Sequence, residues 1–135
     1  MRPKHRLVVF VPRKREVPPA SDVGAESSFW ADLLEGEVVV PAWSDGRWHQ
    51  VEVDGEPVVG VQLAPDHVPP TWPDPAVRQQ VHLDLEVDDP RAAEAEVLAK
   101  GARLLLAAHE LAAAEGFRAY ADPAGHPFCL TWGQA

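Results

Sequence analysis

The feature that most constrains this chain is an order of segments that occurs twice. In the second half, "VHLDLEV" (81–87) sets Leu83, Leu85 and Val87 on one face and His82, Asp84 and Glu86 on the other. That period of two predicts a strand covered on one side. "DDPRAAEAEVLAKG" then predicts a helix: Asp89 is a natural N-cap, Pro90 suits the first helical position, Glu96 and Lys100 pair at i,i+4, and Gly101 can close it. Three more strands are predicted at "RLLLA" (103–107), "FRAYA" (117–121) and "FCLTW" (128–132), the last two joined by the tight turn "DPAGH".

The first half repeats the order. "RLVVFV" (6–11) predicts a strand, and "ESSFWADLLEG" holds Phe29, Trp30, Leu33 and Leu34 at helical spacing and stops at Gly36. "EVVV", "WHQVEV" and "VVGVQL" are the remaining strands, with "DGEP" as a hairpin turn between the last two. One joint differs: the Pro-rich, charged "RKREVPPASDV" separates strand from helix and predicts an irregular loop. The expectation is an α+β fold of two βαβββ modules in one domain, module 1 at 5–64 and module 2 at 80–133, joined by a linker at 65–79. Its five prolines make that linker a stiff crossover.

Charge excludes some partners. With 21 acidic and 12 basic residues the net charge is −9, and such a surface repels phosphate backbones and anionic lipid. No nucleic acid or membrane partner is expected. A pocket that favours cationic or amine-bearing ligands fits the same charge. The start, "MRPKHRLVVFVPRKR", is basic and then apolar like a signal peptide, but the apolar stretch is short and no cleavage site follows, so it reads as a strand. A single cysteine cannot form an internal disulfide, and a cytoplasmic location is the default.

"FWADLL", "PDHVPPTWPDP", "QQVHLDLEVDDPRAAEAEVLAKGARLL" and "FRAYADPAGHPFCL" together resemble the vicinal oxygen chelate superfamily, the glyoxalase, bleomycin-resistance and extradiol dioxygenase group, and most nearly its actinobacterial glyoxalase-like branch. The resemblance runs from about Ser28 to Trp132. It implies two four-stranded sheets curving around one cleft, and often a homodimer. Metal enzymes of this superfamily carry ligands on the first and last strand of each module, and those positions here are Arg6, Gln62, His82 and Cys129. The set is poor. His82 and a Cys129 thiolate suit zinc, but Gln62 is a neutral donor and Arg6 is a permanent cation. His5 faces the wrong way by one residue. Asp84 and Glu86 share the His82 face but lie roughly 7 and 13 Å along the strand, too far for a compact site. A metal-free protein without cofactor is therefore expected.

The cleft so implied is lined by Arg6, Phe10, Gln62, His82, Asp84, Glu86 and Cys129. His82 is the candidate acid or base, with Glu86 and Asp84 able to hold an amine or raise the His82 pKa, and Arg6 to steady an oxyanion. Cys129 is core filler or, if its pKa is lowered, a nucleophile. Trp43, Trp48 and Trp72 fall beside Gly, Pro and Asp, where indoles are packed or used for stacking, and Tyr120 offers a hydroxyl. The expected function is binding of a flat or amine-bearing compound, as in resistance by sequestration. The alternative is a metal-independent lyase, isomerase or cyclase.

Overall fold

The computed structural model describes residues 7–11, 19–64, 68–79 and 82–133. Its contacts divide the chain into two compact units, Met1–Pro69 and Pro70–Ala135.

Unit 1 runs β1 (Leu7–Val11), α1 (Pro19–Leu34), β2 (Glu37–Val39), a 3-10 turn (Ala42–Ser44), β3 (Trp48–Val53) and β4 (Glu56–Leu63). Its sheet has the order β1-β4-β3-β2, with β1 parallel to β4 and the rest antiparallel. Asp54 and Gly55 take φ of 52° and 80°, the left-handed pair of a two-residue hairpin turn, as the Asp-Gly signal requires. The core forms where α1 meets β3 and β4: Val23, Phe29, Trp30, Leu33 and Leu34 are buried with Val51, Val59 and Val61. The helix starts earlier than the sequence suggests. Residues 19–23, expected in an irregular loop, are its first turn and more, because proline is tolerated where helical N–H groups have no partner anyway. The rest of that expected loop and Arg6 lie outside the described residues.

Unit 2 repeats the plan with β5 (Leu83–Glu86), α2 (Pro90–Ala99), β6 (Arg103–Leu106), β7 (Gly116–Ala121) and β8 (Pro127–Trp132). Its sheet has the matching order β5-β8-β7-β6. The helix cap is the expected one: the Asp89 side chain accepts from the Ala92 N–H, with Pro90 in the first turn. Lys100 and Glu96 pair at 3.9 Å, and Gly101 has φ of 112°. Pairing places Phe128 and Leu130 on the α2 face with Leu85 and Tyr120, and Cys129 and Thr131 on the other with Asp84 and Glu86. Among the described residues no helix is long and apolar enough to cross a membrane.

Candidate functional site

In unit 2 the sheet face turned away from α2 carries a pocket of about 330 Å³. Trp72, His82, Asp84, Leu106, Phe117, Cys129 and Thr131 line it. The volume is at the lower end of the range for small-molecule pockets. Asp84 and Cys129 are paired residues on neighbouring parallel strands, which puts carboxylate and thiol side by side. His82, one residue before β5, folds back along the same face so that its Nε2 lies 2.8 Å from Asp84 Oδ1. Its Nδ1 lies 3.2 Å from Gln79 Oε1.

Asp84 thus lies beside His82, contrary to the separation expected from strand rise. Strand rise separates the backbones of residues 82 and 84, but side chains on one face lean toward each other and close the gap at their tips. Asp84 therefore belongs to the same compact group as His82 and Cys129, whose donor atoms all lie within 4.8 Å of one another. Glu86 shares the face but is not among the pocket's lining residues.

Cys129 is buried, and burial raises its pKa to about 11, helped by the Asp84 charge and by the thiol's hydrogen bond to that carboxylate. A thiol so raised is not a nucleophile near neutral pH.

Tyr120 does not serve the pocket. It pairs with Phe128 on the α2 face, is fully buried, and its hydroxyl donates to Glu94 Oε2 at 2.5 Å. Arg118 reaches the same carboxylate at 3.1 Å and donates through Nε to the His109 carbonyl at 2.8 Å. His109 also packs edge-on to Phe117 and accepts the Phe117 N–H on Nδ1 at 3.2 Å. His109 thus fixes one wall of the pocket, a role its sequence context gives no sign of.

The remaining predicted residues lie in unit 1. Gln62 is exposed on β4, and the β1–β4 register sets Phe10 beside it. On that same face, away from α1, Trp48 lies over Gly60, and its Nε1 donates to Gln50 Oε1 at 3.2 Å. Gln50 in turn donates to Glu52 at 2.7 Å. Trp43 stands 75% exposed near Trp48, their ring centroids 6.4 Å apart. Phe117 and Thr131 were missed by the sequence reading although strand alternation from Ala119 and Cys129 points to both. Leu106 was hidden by a register shift in β6, and Gln79 by the linker.

A four-stranded sheet built in β-α-β-β-β order and occurring twice is the plan of the glyoxalase-like class. The chain belongs to that family: the glyoxalase-like domain model matches residues 17–131. Among curated proteins none matches this sequence. Solved structures with the same fold include a glyoxalase/bleomycin resistance protein/dioxygenase family enzyme from Burkholderia phytofirmans (TM-score 0.62, 12% identity, 96% of this chain and 97% of that one). A fosfomycin resistance protein from Listeria monocytogenes is similar at TM-score 0.65 and 11% identity, over 100% and 94%. An antibiotic binding protein from Streptomyces sp. CB03234 is similar at TM-score 0.50 and 18% identity, over 99% of each chain.

The family resemblance raises the question of a divalent metal. Gln62 brings only a neutral amide and Arg6 lies outside the described residues, so the inherited four positions do not supply a matching donor set. The imidazole, carboxylate and thiol of His82, Asp84 and Cys129 do form a chemically suitable group within unit 2.

Proposed function

We propose that this protein binds a small organic molecule bearing a flat apolar part and a basic amine, in the unit 2 pocket, without turnover and without needing a metal. The observation that carries the reading is the pocket's mixed lining: Trp72, Leu106 and Phe117 offer apolar and aromatic walls, and Asp84, on the edge strand β5 opposite to Leu106 on β6, offers a carboxylate. An ammonium group can take Asp84 while the rest of the ligand stacks on the rings. Solved relatives that include an antibiotic binding protein and a fosfomycin resistance protein agree with small-molecule capture. A homodimer in the cytoplasm is part of the same proposal, and light scattering during size exclusion checks the assembly.

The test uses proflavine, a flat cationic dye, with fluorescein as an anionic dye of similar size. Proflavine should quench tryptophan emission with saturation, and fluorescein should not bind. Asp84 is 63% exposed at its side chain, so Asp84→Asn should weaken proflavine only about fivefold. Equal binding of both dyes, or no effect of Asp84→Asn, overturns the reading.

The His82–Asp84 contact at 2.8 Å favours a second reading, in which His82 moves a proton in a metal-independent lyase or isomerase step. His82→Ala separates the two. Under binding it changes proflavine affinity by a few fold at most; under catalysis it abolishes turnover of any substrate found.

A further inference from the structure

We infer that His82, Asp84 and Cys129 form a site for a soft divalent ion of the zinc class, built within unit 2 alone. The donor set is one imidazole nitrogen, one carboxylate oxygen and one thiol sulfur, drawn from β5, the residue before it, and β8. Asp84 occupies none of the four positions that the family resemblance marks. It enters because the parallel register sets it beside Cys129 and because His82 leans toward it.

The geometry is near what an ion requires. Tetrahedral zinc bonds of about 2.0–2.3 Å place neighbouring donors roughly 3.5 Å apart. Here His82 Nε2 and Asp84 Oδ1 are 2.8 Å apart, and no pair in the group exceeds 4.8 Å. Opening the first contact and closing the widest, each by about an ångström, is within the reach of side-chain rotation. Gln79 supplies the outer partner: the proton that Nε2 donates to Asp84 in the free site would move through solvent to Nδ1 on metal binding, where Gln79 Oε1 at 3.2 Å accepts it, and the Nε2 lone pair would turn to the metal. The sulfur makes the site soft. Thiolate and imidazole suit zinc or cobalt and do not suit magnesium or calcium. On binding, the Cys129 proton passes to the buffer and the sulfur binds as thiolate. With zinc bound, the charge of +2 is balanced by the Asp84 carboxylate and the Cys129 thiolate, so the attraction for an ammonium ligand is lost and zinc and proflavine exclude each other.

The inference stands on these three donors and does not need the amine reading, so the decisive measurement uses cobalt alone. Co²⁺ is titrated into untagged wild-type protein kept reduced without added thiols. A thiolate-to-cobalt charge-transfer band should grow in the near ultraviolet, saturate at one equivalent and bleach when Zn²⁺ is added. Cys129→Ala should lack the band. His82→Ala and Asp84→Asn change exposed side chains, so they remain folded by circular dichroism, and each should need at least about tenfold more cobalt. Absence of the band in wild type, or unchanged saturation in both exposed variants, overturns the site. Failure of proflavine to bind would leave the cobalt result intact, so the two readings fail separately.

Discussion

The two units share one order of strands and the same pairing, yet they use the helix-free face of the sheet in opposite ways. Unit 1 covers that face with its own side chains. A Cβ at Gly60 would stand 2.3 Å from the Trp48 ring, so only a glycine leaves room for the indole against the strand, and Gln50 and Glu52 continue the cover as a hydrogen-bonded row. On the corresponding face of unit 2, Trp72, His82, Asp84, Leu106, Phe117, Cys129 and Thr131 surround a pocket instead. Where register sets Phe10 against Gln62 and Val8 against Gly60 in unit 1, it sets Asp84 against Cys129 and Glu86 against Thr131 in unit 2. The same backbone carries a filled surface or a pocket according to a handful of side chains, which is why fold alone does not name a function.

The helices differ in the same sense. α1 buries Phe29, Trp30, Leu33 and Leu34, and Trp30 Nε1 is satisfied by Glu26 at 3.1 Å. α2 buries Val97 alone. Trp30→Ala should therefore cost about 3–5 kcal/mol in urea denaturation, against about 2 kcal/mol for Val97→Ala. Equal losses would mean that the two helices carry their units alike, and the contrast would fall.

Gly60→Val sharpens the contrast on the sheet. The added methyls must evict Trp48 from the strand, at a cost of about 1–3 kcal/mol, and break the Trp48–Gln50 bond. Tryptophan emission should shift to the red. Thr131→Val adds no comparable crowding in the pocket of unit 2 and should leave both stability and emission near wild type. If Gly60→Val leaves emission unchanged, Trp48 does not cover the strand as described.

Much of this was legible in the sequence because it is local. The predicted strand "WHQVEV" coincides with β3 from end to end, and Asp89, Pro90 and Gly101 mark the α2 boundaries. Facing in the second module was also legible, since Asp84 and Cys129 share the face that the period of two assigns. What was not legible depends on side-chain direction and on distant pairing. Tyr120 looks like a pocket hydroxyl until its register with Phe128 turns it to Glu94. Asp84 looks too far from His82 when only backbone rise is counted. Trp72 reads as part of a stiff connector, but Thr71 bonds across a turn to Val77, at 2.9 Å from Thr71 N to the Val77 carbonyl, and Trp72 joins the pocket lining.

The smallest predicted effect sets the two units against each other by pH. In unit 1, His49 lies 3.0 Å from Ser27 Oγ, and burial lowers its pKa below 6.5. The fold therefore favours the neutral ring, and its stabilisation is present above about pH 6.5 and is lost as pH falls through the lowered value. In unit 2 the Cys129 pKa is raised from 9.0 to about 11, so the fold favours the neutral thiol. That contribution is present below about pH 9 and is lost as pH rises toward 11. Amide hydrogen exchange read by peptide should show β3 and α1 loosening first on the acid side and β8 first on the alkaline side. Iodoacetamide gives the companion measurement: below pH 9 the thiolate fraction of Cys129 should be about a hundredfold below that of an ordinary cysteine, so alkylation stays slow until the solution nears pH 11. Rapid alkylation at pH 7.5, with the fold intact, would mean that Asp84 and burial do not hold the proton on the sulfur, and the chemical distinction between the two faces would lose its clearest marker.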